Sequence, residues 1–201
     1  IIDKGVAILS IHRFIYLAME VRTGKTLTSL GILNNMGVKQ VLFITKKKAI
    51  GSITNDYEAL NPSFKITVVN YESLHLFEDN YKWDAVVVDE AHSLGAFPKP
   101  SNRAIAVKRV VSKNKPYVIL MSGTPTPESY SQMYHQVYGI PSNPFSAYAN
   151  FYKFCHDYVN VGQKRINGMF INDYSNGKES IIQAMSPYTI NYTQSEAGFE
   201  V

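Results

Sequence analysis

A short polar turn near the start of the chain has the residue types of a phosphate-binding site. The turn ends in Gly24-Lys25-Thr26, between an apolar run at 14–17 and a stretch with apolar residues at helical spacing. Glycine lets backbone N–H groups approach a phosphate closely, and the start of a helix favours negative charge. Lysine can reach the β- and γ-phosphates of a nucleotide, and a threonine hydroxyl can ligate Mg²⁺. The residues that we expect to bind a nucleotide are Arg22, Thr23, Gly24, Lys25 and Thr26.

This turn departs from the general phosphate-loop pattern at one position. The pattern places a glycine five residues before Gly24, where this chain has Met19. Thr-Gly-Lys-Thr also occurs by chance, and alone it is compatible with an ordinary strand-to-helix turn that carries a solvated lysine. Support for a nucleotide site must therefore come from residues elsewhere in the chain.

Two adjacent acidic residues provide that support. Asp89 and Glu90 follow three valines, at 86–88, and unpaired charges at the end of a buried strand are costly unless they meet a cation or do chemistry. With a phosphate loop nearby, we expect Asp89 to hold Mg²⁺ and Glu90 to orient or deprotonate an attacking water. An acidic cap at a helix start is the alternative. The candidate catalytic residues are Lys25, Asp89 and Glu90, and the candidate metal ligands are Thr26 and Asp89.

A third polar stretch consists of small and hydroxyl residues. Ser122, Gly123 and Thr124 directly follow an apolar run and leave room for a hinge or for a contact with the acidic pair. His92 lies two residues after Glu90 and could relay the state of the γ-phosphate to a neighbouring segment. We therefore expect His92, Ser122, Gly123 and Thr124 to couple the site to the rest of the protein, with an ordinary loop as the alternative.

The elements that must position these residues alternate between strands and helices. Apolar runs predict strands at 14–17, 40–45, 65–70, 83–88 and 116–121, with helices after residue 26 and at 49–60 and 101–111. This alternation over 14–140 predicts an α/β fold, a parallel sheet with helices on both faces. Right-handed crossovers place all strand carboxyl ends at one edge, where ligands bind in such folds.

The pattern changes after Pro127. We predict helices at 129–138, 145–158 and 178–185, a hairpin turning at Asn167-Gly168, and a last strand at 188–193. The stretch 1–13 is predicted to be the end of one element and a connection into the first strand.

Composition limits the classes of protein to which the chain can belong. The 201 residues suffice for one well-buried domain with an appendage, and the net charge of +4 permits a polyanionic partner without demonstrating one. Cys155 is the only cysteine, so we predict a buried thiol with no disulfide partner. No apolar run of about 18 residues exists, so no membrane span is expected. We expect an intracellular, cytoplasmic protein, in the host cytoplasm if a phage encodes it.

The three motifs, in this order, resemble a known family. Gly24-Lys25-Thr26, Asp89-Glu90-Ala91-His92 and Ser122-Gly123-Thr124-Pro125 look like motifs I, II and III of the first RecA-like domain of superfamily 2 helicases and translocases. Gly-Thr-Pro in the third motif resembles the Swi/Snf-like branch, as do the segments 69–74 and 133–154. The lysines at 46–48 look like motif Ia of phage and bacterial members. The resemblance covers about residues 14–200.

The resemblance implies a RecA-like fold and hydrolysis of ATP, with Mg²⁺, coupled to movement along DNA, usually duplex DNA in this branch. A run of lysines can equally be a solvated helix start, since charge alone fixes no partner. By analogy with the family, the residues expected on the nucleic-acid face are Thr45, Lys46, Lys47, Asn70, Tyr71 and Ser73.

The family also implies a division of the chain. Residues 1–140 would form the RecA-like ATP-binding core, and 141–201 would form a helical and hairpin appendage, rich in aromatic residues, that returns a last strand to it. Motifs IV to VI and the arginine finger belong to a second RecA-like lobe, which we expect to be absent from this chain. The adenine-reading glutamine motif is not found upstream of Gly24. We therefore expect a fragment that hydrolyses ATP poorly alone.

Three other functions remain open at this point. The first is a phosphate-loop nucleoside triphosphatase without a nucleic-acid role, which lack of DNA stimulation would identify. The second is a binding module that keeps only the fold, against which the presence of Lys25, Thr26, Asp89 and Glu90 argues. The third is a metal-dependent hydrolase using Asp89, Glu90 and His92, which lacks further ligands at suitable spacing.

Overall fold

A six-stranded parallel sheet is the centre of the fold. The computed structural model describes residues 1–79 and 82–199. Its strands are β1 Phe14–Met19, β2 Gln40–Thr45, β3 Lys65–Asn70, β4 Ala85–Val88, β5 Tyr117–Ser122, β6 Gly162–Ile166, β7 Met169–Asp173 and β8 Thr189–Tyr192. The sheet has the order β3-β2-β4-β5-β1-β8, and every neighbouring pair in it is parallel. Strands β6 and β7 form a separate antiparallel hairpin.

Helices cover both faces of this sheet. They are α1 Ile2–His12, α2 Lys25–Asn35, α3 Ile50–Leu60, α4 Asn102–Asn114, α5 Met133–Val137, α6 Phe151–Tyr158 and α7 Ser180–Met185. Alternate residues of β1 point to opposite faces, so Phe14 and Tyr16 join one buried cluster while Ile15 and Leu17 join the other. Helices α1 to α3 contribute to the second cluster, and α4 to α7 to the first. The predicted α/β fold, with helices on both faces, is confirmed.

Strand order brings the predicted motifs to one edge. Strand β5 lies between β1 and β4, and all three are parallel. Their carboxyl ends therefore meet, and the turn after β1 is separated from the acids after β4 by two strand spacings, roughly 10 Å. The loop after β5 lies between them.

Two local predictions need correction. The stretch predicted as a connection, 1–13, is mostly the helix α1, whose Gly5 packs so closely on Ile32 that a Cβ would clash with it. The predicted helix at 145–158 begins only at Phe151, because Asn150 caps it there by accepting a hydrogen bond from Lys153 N at 2.9 Å. Periodicity indicated apolar contact in both stretches but did not fix where a helix begins.

Buried aromatic residues between 134 and 158 pack together on one face of the sheet. The rings of Tyr134 and Phe154 lie 4.9 Å apart, and those of Phe145 and Phe154 lie 5.0 Å apart. Cys155 is buried among them, and burial raises the pKa of its thiol to about 12. None of the helices in the described part of the chain is long and apolar enough to cross a membrane.

His135 is an ionisable group inside this aromatic cluster. Its side chain is 4% exposed, and its Nδ1 lies 2.9 Å from the carbonyl oxygen of Ala96, which can only accept the hydrogen bond. Burial lowers the pKa of His135 to about 4, with a smaller contribution from the positive charge of Lys108. The folded protein therefore holds this imidazole neutral where an unfolded chain would protonate it.

We predict that His135 makes the free energy of unfolding depend on pH between about 6.5 and 4. The unfolded state binds the proton first, so stability falls with decreasing pH, by about 2 kcal/mol between pH 7 and pH 5. Urea titrations at these two pH values should show this loss in the unchanged chain and a smaller one in His135→Gln. His156→Gln, at an exposed histidine, is the control. Equal losses in all three proteins would contradict the prediction.

Candidate nucleotide and nucleic-acid site

The turn between β1 and α2 has two residues in the left-handed backbone region. Gly24 and Arg22 have positive φ angles of 83° and 65°. Lys25 begins α2, whose N-terminus has no side-chain cap, so its first N–H groups are suited to an anion. The Lys25 ammonium donates a hydrogen bond to the carbonyl oxygen of Glu20 at 3.2 Å, and the Thr23 hydroxyl donates to the same oxygen at 2.6 Å. The lysine thus folds back over the turn.

The segment after β8 holds this turn in place, which the sequence did not predict. Glu20 accepts a hydrogen bond from the backbone N of Gln194 at 2.7 Å, and the Gln194 side-chain amide donates to the carbonyl oxygen of Val21 at 2.9 Å. The backbone N of Glu20 also donates to Tyr192 O at 3.0 Å. No sequence pattern links these residues, because Gln194 lies far along the chain and reaches the turn only through the pairing of β8 with β1.

Asp89 is fixed by hydrogen bonds on both carboxylate oxygens. Its Oδ2 accepts from the Thr45 hydroxyl at 2.8 Å, and its Oδ1 accepts from Glu90 N at 3.0 Å. The Tyr71 hydroxyl donates to the Asp89 backbone carbonyl. These contacts fix the orientation of the Asp89 side chain at the end of β4.

The pKa of Asp89 is set by its burial and by the charged and polar groups around it. Burial raises the pKa of Asp89, and the nearby Glu90 carboxylate raises it further. The hydrogen bond from Thr45 and the positive charge of Lys25 lower it. An effect of Lys25 on Asp89 requires the two side chains to be near each other. The turn after β1 and the acid after β4 therefore share one electrostatic environment.

The predicted coupling residues form a connected chain from Glu90 to the loop after β5. His92 Nδ1 lies 3.3 Å from a Glu90 carboxylate oxygen and 2.7 Å from the Ser122 hydroxyl, which accepts a hydrogen bond from Thr124 N at 3.1 Å. Gly123 packs on the backbone at the end of β1 and of the turn that follows, where a Cβ on Gly123 would lie 3.4 Å from Met19 O. These contacts connect the four predicted coupling residues to the acids after β4 and to the turn after β1.

The donor set at this edge fits Mg²⁺. The predicted ligands, Thr26 and Asp89, offer only oxygen atoms, and proteins usually bind Mg²⁺ through one or two carboxylates together with substrate phosphates. Within 1–79 and 82–199, no group of three or more His, Cys, Asp or Glu side chains could hold a metal by itself. The chain thus suits a magnesium ion whose remaining ligands come from a nucleotide and water.

We predict that Thr45→Val weakens the use of Mg²⁺ in ATP binding. Loss of the hydroxyl removes a hydrogen bond that orients the Asp89 carboxylate and lowers its pKa, so the charged form that a metal ion binds is less favoured. The Mg²⁺ concentration needed for half-maximal ATP binding should rise about tenfold, the effect of one hydrogen bond to a charged group, and the difference should shrink as the pH rises. Thr45→Ser keeps the donor and is the control; equal Mg²⁺ dependence in both variants would refute the prediction.

The predicted nucleic-acid residues divide into two groups. Thr45 is fully buried and Tyr71 is 5% exposed, and both position Asp89. Both were expected on the nucleic-acid face by analogy with the family, whereas in the structure their side chains are buried and hold Asp89. The other four border an open groove, together with Arg103 of α4, which the sequence did not indicate. The groove is lined by Lys46, Lys47, Lys48, Asn70, Glu72, Ser73 and Arg103.

Arg103 is held over the wall of this groove. Its guanidinium lies 4.7 Å from the centre of the Tyr71 ring and 2.9 Å from a Glu72 carboxylate oxygen. Glu72 is the acid among the lining residues, so the groove has an excess of positive charge.

A known protein family matches most of the chain. The model of the SNF2-related domain family matches residues 38–197, well over half of the chain, beginning after the turn at Lys25. A solved structure described as the ATP-dependent Type ISP restriction-modification enzyme LlaBIII bound to DNA is 19% identical, with a TM-score of 0.41. That similarity covers 60% of this chain and 12% of the enzyme, so the chain spans a small part of that protein. A comparison with curated proteins gave no match. The chain belongs to the SNF2-related domain family, the N-terminal lobe of superfamily 2 helicases.

Proposed function

We propose that this chain is the ATP-binding lobe of a DNA-dependent ATPase that moves along DNA. The observation that carries the proposal is the strand order, which places β5 between β1 and β4 and so brings the Lys25 turn, Asp89 and Glu90 to one edge of the sheet. Membership of the SNF2-related domain family supports it.

In this proposal the turn at 22–26 binds the phosphates of ATP. Lys25 would exchange the carbonyl of Glu20 for phosphate oxygens, and the uncapped N-terminus of α2 would face the same charge. Thr26 and Asp89 would hold Mg²⁺, which supplies charge neutralisation on the phosphates. Glu90 would orient the attacking water and accept its proton.

His92 would transmit a change at the γ-phosphate to the loop after β5. This side chain contacts both Glu90 and Ser122, so a shift of Glu90 on hydrolysis would change the contacts of the loop after β5. Gly123 and Thr124 would carry that change to the segment that follows. The role proposed for these residues is coupling, not chemistry.

DNA would lie in the basic groove. Lys46 and Lys47 are exposed at its rim, and Asn70 and Ser73 are half-buried beside them. Lysines and small polar side chains that contact phosphates fix the position of a nucleic acid without reading its sequence. Such binding weakens steeply as salt rises.

The proposal also assigns parts of the chain. Residues 1–140 would form the ATP-binding core and 141–201 the appendage, which returns β8 to the sheet. A second RecA-like lobe, outside these 201 residues, would supply the arginine finger, which is worth about 10³–10⁵ in rate.

The test is stimulation of ATP hydrolysis by DNA in the full-length protein that contains this chain. We expect duplex DNA to stimulate hydrolysis, and Lys46→Ala/Lys47→Ala to weaken DNA binding and reduce the slope of log K against log salt by roughly 2. Lys4→Ala/Lys39→Ala removes equal charge outside the groove and should change neither. Hydrolysis that is unaffected by DNA would instead indicate a phosphate-loop nucleoside triphosphatase without a nucleic-acid role.

A further inference from the structure

The hairpin of β6 and β7 stands outside both core clusters. Its turn is Asn167-Gly168, with φ angles of 48° and 81°, the geometry of a type I′ turn. Every strand residue except Asp173 is exposed. An isolated two-stranded hairpin is only marginally stable in water. Packing against the core therefore does not account for the presence of this hairpin.

Apolar side chains at the end of this hairpin face solvent. Phe170 is 70% exposed and Met169 is 68% exposed, beside Ile166 at 45% and Ile171 at 41%. Ile166 pairs with Met169, and Arg165 pairs with Phe170, so apolar surface lies on both faces of the ribbon. Adjacent exposed apolar side chains of this size indicate a contact site.

The charge on the hairpin identifies the class of partner. Between residues 164 and 171 the charged side chains are Lys164 and Arg165, without an acid. The acid of the hairpin, Asp173, is at its base, where its carboxylate accepts hydrogen bonds from Ser175 and lies 4.0 Å from the Lys164 ammonium, which is half exposed. Arg165 lies 5.8 Å from the ring of Phe170. Basic side chains next to an aromatic and a methionine suit a polyanion with flat apolar bases.

The base of the hairpin is hydrogen-bonded to the segment that follows the loop after β5. The Ser131 hydroxyl donates to Tyr174 O at 2.6 Å, and the Ser129 hydroxyl donates to Ser175 O at 2.6 Å. Gly177 approaches Ser131 so closely that a Cβ would lie 2.7 Å from its backbone N. Ser129 is separated from Thr124 by four residues. A movement of the loop after β5 would therefore reach the hairpin.

We propose that the hairpin contacts DNA where its bases are exposed, with Phe170 against a base and with Lys164 and Arg165 on the flanking phosphates. The inference rests on the proposed function, and it adds a preference for junctions between duplex and single strands. A base presents its face to a side chain only where stacking is interrupted, so a continuous duplex offers the apolar tip no partner.

The experiment compares two DNAs in the full-length protein. Met169→Thr/Phe170→Thr keeps residues that favour strands and removes the apolar tip, and Ile11→Ser, at a residue of α1 that is 76% exposed, is the matched control. We expect the double variant to bind a forked junction about tenfold more weakly, the effect of losing one base stack, with affinity for continuous duplex and for ATP unchanged. The control should bind both DNAs like the unchanged protein.

The other outcomes separate the two proposals. If the unchanged protein binds DNA and the double variant binds the junction equally well, the hairpin proposal is wrong while the proposed function stands. An equal loss on both DNAs would also overturn it, since the tip would then not recognise bases. If the unchanged protein binds neither DNA, both proposals fail.

Discussion

Replacing Glu90 with glutamine is expected to slow ATP hydrolysis about 10²–10⁴-fold, the usual contribution of a general base, with little change in ATP affinity. Glutamine has nearly the same shape and can still contact His92, but its amide cannot accept a proton from water. The readout is phosphate release by the full-length protein with saturating ATP and DNA, alongside a direct measurement of ATP binding.

The matched control for this substitution is Glu72→Gln. Glu72 is an exposed carboxylate that pairs with Arg103 in the basic groove, away from the acids after β4. Glu72→Gln should leave the rate of ATP hydrolysis at saturating DNA nearly unchanged. Hydrolysis by Glu90→Gln at the rate of the unchanged protein would remove Glu90 from the mechanism.

Replacing Lys25 with alanine is expected to lower ATP affinity about 10- to 100-fold, the effect of losing a hydrogen bond to a charged group. Hydrolysis should fall by about 10²–10³-fold more, because this ammonium also stabilises the charge of the transition state. Calorimetric titration with ATP and Mg²⁺ measures the first effect, and single-turnover hydrolysis measures the second.

Lys48→Ala is the control for Lys25, since it removes an exposed lysine that lies in the basic groove. It should retain ATP binding and lose only part of the affinity for DNA. An unchanged affinity for ATP in Lys25→Ala would mean that the turn after β1 is not a nucleotide site, and the fold-only binding module would become the better account.

The sheet could be predicted because its strands are short apolar runs. The predicted bounds of β2 and β3 agree with the structure, and those of β5 differ by one residue. The order of the strands could not be predicted, because apolar runs do not specify their neighbours. That order decides the site, since β5 must lie between β1 and β4 for Lys25 to act on Asp89.

The contacts that hold the site were less accessible to sequence reasoning. Thr45 was expected on the nucleic-acid face by analogy with the family, yet the pairing of β2 with β4 brings its hydroxyl to Asp89. Arg103 and Gln194 reach the site from distant parts of the chain, and no local pattern marks either. By contrast, the hairpin turn at Asn167-Gly168 was predictable because its positive φ angles demand those residue types.

A crystal structure of this chain with Mg²⁺ and a non-hydrolysable ATP analogue tests the central claim most directly. The account predicts the β- and γ-phosphates against the turn at 22–26, with Lys25 Nζ released from Glu20 O and the metal ion between Thr26 and Asp89. A nucleotide bound elsewhere, or a metal ion that contacts neither Thr26 nor Asp89, would contradict it.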